Sequence, residues 1–155
     1  GELEKLFIAL PEGGEVSDTL IEQHIGISKE YNIFELTGAL ADKDVGRVTR
    51  IVHYMRANEK SNPVPRILPV LTNYFGRILA FHHLPNHDPS AVAGALRVHP
   101  FAAKEYARAA RNYPAGKVSR IFGYLRECDA KSKGIGNVTA QPFDLLEEAL
   151  FKTLH

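Results

Sequence analysis

The sequence predicts an all-α fold, a bundle of helices without strands. Apolar residues recur at three- and four-residue steps along most of the chain, as in Val48, Val52 and Met55, and this is the spacing of one helix face. Prolines or capping residues stand where the apolar runs begin, and no stretch alternates as a half-buried strand does. With 155 residues, of which 45% are hydrophobic, the chain can bury the core of one medium-sized domain.

The first third of the chain predicts four helices. Two short ones are expected over residues 3–10 and about 18–25. Asn32, followed three residues later by Glu35, resembles a capping box at the start of the third, and Asp44 caps the fourth. In the third and fourth helices the residues expected to face the core are Ile33, Leu36, Thr37, Leu40, Val45, Val48, Val52 and Met55, with Arg47, Arg50 and Arg56 facing outward.

The middle of the chain predicts the central buried helix. Apolar residues from Ile67 to Phe81 cover most of a helix circumference, and Asn62-Pro63 precedes them. Pro69 is expected either to kink this helix or to mark its true start. A short helix should follow, beginning at Asp88 or Ser90.

Two amphipathic helices and a final one complete the prediction. Pro100 begins the first, with Phe101, Ala102, Tyr106, Ala109, Ala110 and Tyr113 expected on its inner face. Tyr113-Pro114 separates it from the second, whose inner residues are expected to be Val118, Ile121, Phe122, Leu125 and Cys128. Pro142 begins the last helix, after a loop over residues 134–139.

Basic side chains follow the outer faces of these two amphipathic helices. The simpler interpretation is an ordinary solvated surface, and the functional one is contact with DNA or with an acidic partner. Acidic residues are sparse between Ala107 and Arg126, so we expect the basic faces to stay unneutralised. The candidate contact residues are Lys104, Arg108, Arg111, Lys117, Arg120, Lys131 and Lys133, with Arg126 between them.

The last helix is apolar beyond a single stripe. Phe143, Leu146, Leu150 and Leu154 form the stripe, and Leu145 and Phe151 are expected to point away from its centre. We therefore predict that Leu145 or Phe151 covers a neighbouring subunit, the alternative being that both belong to the core.

The composition and remaining motifs exclude several kinds of site. Net charge is +1, and a single cysteine excludes an internal disulfide and suits a reducing compartment. No apolar run reaches membrane-spanning length, no signal pattern opens the chain, and a start at Gly1-Glu2 in a helical pattern suggests an excised fragment. Gly116-Lys117-Val118-Ser119 lacks the upstream glycine and the strand of a phosphate-binding loop.

Histidines and the cysteine are expected to be structural. His82, His83 and His87 are interrupted by Pro85 and have no cysteine nearby, so a polar helix end is a better interpretation than zinc ligation. Cys128 lies on an apolar stripe, as a buried thiol does, and His99 before Pro100 is a helix-entry residue. We expect no catalytic residue, no cofactor and no metal.

Several segments in order resemble one family. Val98-His99-Pro100-Phe101, Tyr31-Asn32-Ile33-Phe34-Glu35-Leu36 and the Asn62-Pro63 helix entry are similar to the C-terminal collar domain of the delta subunit of the bacterial DNA polymerase III clamp loader. Helices over residues 125–133 and 142–154 match that family's last two. The resemblance covers residues 30–155 well and residues 1–29 more loosely, as the end of the preceding lid domain of the AAA+ module.

The resemblance implies a non-catalytic scaffold. Residues 1–29 would end the lid domain and residues 30–155 would form the collar, which assembles with other clamp-loader subunits in the bacterial cytoplasm to load the sliding clamp on primed DNA. Primer–template DNA is then a candidate partner, and the clamp would be contacted only through an N-terminal domain that this sequence lacks. Some family members place an aromatic residue in the loop before the last helix; here residues 131–136 read Lys-Ser-Lys-Gly-Ile-Gly, which leaves phosphate contact rather than base stacking.

Two alternatives come from other classes of protein. One is an unrelated helical nucleic-acid-binding adaptor that uses the same basic faces. The other is a small helical hydrolase, which is disfavoured because no paired carboxylates and no Ser/His/Asp set share one helix face.

Overall fold

The described part of the protein is an all-α bundle. The structure, a computed structural model, describes residues 31–137 and 139–155, and the chain divides into two units, residues 1–31 and 32–155. Seven helices and no strand occur among the described residues. They are α1 (Ile33–Ala41), α2 (Val45–Ala57), α3 (Val64–His82), α4 (Pro89–Leu96), α5 (Pro100–Asn112), α6 (Ala115–Ser132) and α7 (Pro142–Leu154).

The all-α prediction is therefore confirmed for this part. The two short helices expected before residue 30 lie outside the described residues, and the assignment of residues 1–29 to a lid domain stays a prediction. Within residues 31–137 and 139–155, no helix combines the length and apolar character that crossing a bilayer requires.

Helix α3 is the centre of the bundle, as its apolar circumference predicts. It packs against α1, α4, α5, α6 and α7, and its residues Leu71, Phe75 and Ile78 are fully buried. The helix already begins at Val64, so Pro69 lies inside it and does not mark its start. Pro69 removes one backbone N–H from the helix, and its own side chain lies on the exposed side.

Helix starts follow the predicted capping chemistry. The Asn32 side chain accepts a hydrogen bond from the Glu35 backbone N–H at 3.0 Å, and the Asp44 side chain accepts one from Arg47 N–H at 3.1 Å. His99 Nδ1 accepts from Phe101 N–H at 3.0 Å, which confirms its helix-entry role. These side chains satisfy backbone donors that the first helical turn leaves unpaired.

The C-terminal end of α1 is held by α5. The Tyr113 hydroxyl donates to the Leu40 carbonyl at 2.6 Å, and the Asn112 amide donates to the Ala41 carbonyl at 2.7 Å. The Tyr113 ring is fully buried and meets Phe75 of α3 edge-on at 5.3 Å. Carbonyl groups at a helix end have no partner in the helix itself. The end of α5 supplies a partner for Ala41 O and adds a second donor to Leu40 O, which also accepts the Lys43 backbone N–H.

Two residues expected in the core are exposed. Phe101 is 85% exposed and Ala103 is buried in its place, because the inner face of α5 follows Ala103, Tyr106 and Ala110. Phe101 precedes Ala103 by two positions, about 200° around a helix, and therefore lies on the basic face. Val45 is 40% exposed because side chains at the first position of a helix tilt back beyond its N-terminus.

Candidate assembly and nucleic-acid surfaces

The outer face of α5 joins one aromatic ring to three cations. Phe101, Lys104, Arg108 and Arg111 follow each other at helical spacing and are all exposed. Arg108 Nε pairs with Asp42 Oδ1, just after the end of α1, at 3.1 Å. Among the described residues, no carboxylate oxygen lies within 4 Å of Lys104 or Arg111. The α5 face therefore keeps two uncompensated cations.

The basic side chains of α6 are mostly engaged within the chain. Lys131 Nζ lies 2.7 Å from Glu127 and Lys133 Nζ lies 3.0 Å from Asp129, each one turn earlier. Lys117 Nζ donates to the Lys152 carbonyl at 2.8 Å. The expectation of an unneutralised stripe is thus wrong for Arg108, Lys131 and Lys133, which pair with carboxylates. Lys117 is hydrogen-bonded to an uncharged carbonyl and keeps its positive charge.

Two arginines of α6 remain without a described carboxylate partner. Arg120 is exposed, and Arg126 lines a cleft of about 650 Å³ between α3 and α6, together with Pro69, Phe122 and Lys133. After this helix, Gly134 and Gly136 adopt positive φ values of 92° and 71°, and Ile135 between them is 67% exposed. The loop therefore presents an aliphatic side chain to solvent.

Leu145 and Phe151 of the last helix, which were both expected to point outward, differ in burial. Leu145 is only 6% exposed, so the expectation that it points outward is wrong. It lies over Tyr124, Cys128 and Ala149, because α7 packs along much of α6 and buries a wider arc than one stripe. Phe151 is 62% exposed, as expected. Its interface role stays a prediction.

Phe151 flanks a groove between α2 and α7. The groove has a volume of about 160 Å³ and a mostly apolar lining. Val45 of α2 and Phe151 of α7 are its exposed hydrophobic side chains. The other lining residues are Val48, Thr49, Val52, His53, Glu147, Leu150, Leu154 and His155.

Two salt bridges join α2 and α7 beside this groove. Arg56 of α2 contacts Asp144 of α7 at 2.8 Å and Glu147 at 3.2 Å. Asp144 also accepts a hydrogen bond from the Gln141 backbone N–H. The Arg56 guanidinium, and to a smaller extent this hydrogen bond, hold the pKa of Asp144 below its usual value. Asp144 and Gln141 form a capping box at the start of α7. The Asp144 carboxylate therefore takes part in both the capping box and the salt bridge to Arg56.

The three histidines at the end of α3 and after it have structural partners. His82 Nε2 contacts the Tyr113 carbonyl at 2.8 Å, His83 Nδ1 contacts Leu79 O at 2.9 Å, and His87 Nε2 contacts Phe81 O at 3.0 Å. In the described ranges, no group of three or more His, Cys, Asp or Glu side chains is arranged to hold a metal ion.

Cys128 and the glycine-lysine segment also have structural surroundings. Cys128 is buried, and burial, with smaller contributions from Asp129 and Glu148, raises the pKa of its thiol to about 11. Gly116 to Ser119 lies inside α6, so the segment has the helical conformation expected of it and not that of a phosphate-binding loop.

One concave site was not predicted from the sequence. It lies between α1, α3 and the start of α5, with a volume of about 480 Å³, and its lining includes Phe34, Asn73, Arg77, Arg97 and His99. Phe34 offered a signal: it stands two positions before Leu36, off the buried stripe of α1, as Phe151 stands off that of α7. Arg97 offered none, since nothing in the sequence reveals which loop arginine faces a cleft.

Comparison with protein-family models assigns the described bundle to a family. The model of the DNA polymerase III delta subunit, C-terminal domain, matches residues 30–146, which is most of the chain. Among curated proteins, a search finds no match to this chain. The matched range contains α1 to α6 and the first part of α7, with the His99-Pro100-Phe101 helix entry inside it. The chain therefore belongs to the family of the DNA polymerase III delta subunit, C-terminal domain.

Proposed function

We propose that this chain serves as a non-catalytic assembly domain of a clamp-loader delta subunit in the bacterial cytoplasm. It packs against other clamp-loader subunits, so that the complete complex can load the sliding clamp on primed DNA. The clamp itself is contacted by an N-terminal domain of the subunit. Family membership supports the clamp-loader assignment, and the groove between α2 and α7 is the observation that best supports an assembly surface.

The groove has the composition of a subunit contact. Its mostly apolar lining includes two exposed hydrophobic side chains, Val45 and Phe151, together with the polar residues His53 and His155. Protein interfaces combine an apolar centre containing aromatic side chains with a polar rim. Among the described rings, Phe151 meets only His155, tilted at 37° with ring centroids 4.5 Å apart, and most of its surface is exposed and available to a partner.

Co-purification with the other clamp-loader subunits tests this proposal. Phe151→Ala should weaken assembly by about 1–2 kcal/mol, as truncation of an interface anchor typically does. Phe101→Ala is the matched control, because it removes an equally large exposed ring from a different helix. Equal effects of the two variants, or no association of the unmodified chain, would count against the groove as the assembly surface.

Contact with DNA is a second candidate function. It is favoured by Lys104, Arg111, Arg120 and Arg126, which have no carboxylate within 4 Å in the described part of the chain. Binding through phosphate contacts weakens steeply with salt. DNA binding by the chain alone, with its salt dependence reduced in a Lys104→Ala/Arg111→Ala variant, would support this candidate and the alternative of a nucleic-acid-binding adaptor.

A further inference from the structure

The concave site between α1, α3 and the start of α5 has an excess of positive charge. Arg77 and Arg97 both line it, and Glu105 is the one carboxylate among its lining residues. Glu105 Oε2 already accepts a hydrogen bond from the Tyr74 hydroxyl at 2.7 Å. Two guanidinium groups against one engaged carboxylate favour an anionic ligand.

His99 and the start of α5 offer the cleft further hydrogen-bond donors. His99 Nδ1 accepts from Phe101 N–H, so the neutral ring carries its proton on Nε2, which is then a donor. His99 is also the residue before α5, a helix of 13 residues whose N-terminal end is electropositive. A phosphate group finds the donors and the positive potential that it requires at this place.

Arg97 occupies a backbone conformation that glycine would adopt more easily. It ends α4 with φ 57° and ψ 47°, in the left-handed region. Helices commonly end with glycine in this conformation because side chains with a Cβ are disfavoured there. The chain keeps an exposed arginine at this position, beside the cleft.

The cleft also has an exposed aromatic lining residue. Phe34 of α1 is 75% exposed although it lines the cleft. Asn73 of α3 also lines it, and its amide makes no hydrogen bond within residues 31–137 and 139–155. Guanidinium groups beside an exposed ring are typical of sites for single-stranded nucleic acid, in which a base stacks on the ring. An acidic peptide would use the arginines but would leave the ring and the amide without a role.

We infer that this cleft binds one nucleotide of single-stranded nucleic acid. Arg77 and Arg97 hold its phosphate, the base lies on Phe34, and Asn73 reads or supports the edge of the base. A volume of about 480 Å³ is within the usual range for small-ligand sites. The inference does not rest on the assembly role of the α2/α7 groove, nor on the basic faces of α5 and α6.

Fluorescence anisotropy of a labelled oligothymidylate with the whole chain tests the inference. Arg97→Gly is the decisive variant, because glycine suits the backbone at this position, so the guanidinium is removed without new backbone strain. We expect its melting temperature to be unchanged or raised and its affinity to fall, with the slope of log affinity against log salt reduced by about one. Arg77→Ala should reduce the slope similarly. Phe34→Ala should lower affinity by about fivefold or more with an unchanged slope.

Control variants and competitors separate binding in this cleft from binding elsewhere on the basic surface. Arg50→Ala removes an exposed arginine of α2 and should leave binding unchanged. Polyglutamate should compete poorly, and an oligomer without bases should bind more weakly than oligothymidylate. The inference is overturned if the chain does not bind oligothymidylate, or if Arg50→Ala matches Arg97→Gly. It is equally overturned if only Lys104→Ala/Arg111→Ala reduces binding, or if polyglutamate competes as well as the oligonucleotide.

Discussion

Separate alanine substitutions of Leu145 and Phe151 should have very different effects on the stability of the free chain. Both residues belong to α7 and lie less than two helical turns apart. Leu145 is buried against α6, whereas 62% of the Phe151 surface is exposed. The same truncation to alanine therefore compares a core position with a surface position on one helix.

The expected magnitudes follow from burial. Leu145→Ala removes a buried aliphatic group and should cost about 2–3 kcal/mol, the lower part of the usual range, because a small depression of about 10 Å³ that opens to the surface adjoins it and lets neighbouring side chains relax into the vacated space. Phe151 has little more than a third of its surface covered. A fully buried phenylalanine contributes at most ~3 kcal/mol, so about 1 kcal/mol is at stake. The better helix propensity of alanine restores roughly 0.5 kcal/mol of that, which leaves a net cost of about 0.5 kcal/mol.

Urea unfolding followed by far-UV circular dichroism measures both values. The dependence of the unfolding free energy on urea should be the same for the two variants, since neither changes the size of the folded unit. A loss of about 2 kcal/mol or more in Phe151→Ala would place Phe151 in the core and refute its assignment to a surface. A loss below about 1 kcal/mol in Leu145→Ala would refute the packing of α7 on α6.

Three further outcomes are expected. Tyr113→Phe should cost about 1 kcal/mol in urea unfolding, because the Leu40 carbonyl keeps its bond from the Lys43 backbone N–H; a cost near zero would mean that the hydroxyl bond is dispensable. Cys128 should react with a thiol reagent at pH 8 only after unfolding, because the pKa of its thiol is raised to about 11, and fast labelling of the folded chain would contradict its burial. The pKa of Asp144 is lowered on folding, so its stabilisation is present above the ordinary aspartate pKa of about 4 and is lost as pH falls through the lowered value. Melts of the parent and Asp144→Asn should therefore differ at pH 7 and converge at low pH; a constant difference would exclude this titration.

The sequence predicted helices better than it predicted their orientation. Helix starts could be read because proline, asparagine and aspartate act on their own backbone neighbours, as at Asn32, Asp44 and Pro100. The inner face of α5 could not be predicted from the sequence, because alanines occur on several sides of that helix and tolerate both burial and exposure. Phe101 was then the strongest apolar signal on α5, and it lies on the outer face.

Charge pairing on the basic surface was likewise predictable only between residues close together in sequence. The pairs Lys131–Glu127 and Lys133–Asp129 are one helical turn apart, so their neutralisation could have been predicted from spacing. The pair between Arg108 and Asp42 joins residues far apart in sequence, and only the packing of α1 on α5 brings them together. The cleft that includes Arg97 likewise depends on three separate helices, so no local pattern indicates it.

The capping of α1 by α5 has a consequence for the order of folding. Helix α1 has nine residues, fewer than the roughly 12–15 at which an isolated helix becomes even marginally stable in water. Its last carbonyl groups are completed by Asn112 and Tyr113, about seventy residues later in the chain. During synthesis, the segment after Asn32 leaves the ribosome well before these partners exist. The side-chain part of the α1 C-terminal cap can therefore form only after α5 has been made, so the first described helix of the bundle reaches its final set of hydrogen bonds late in synthesis.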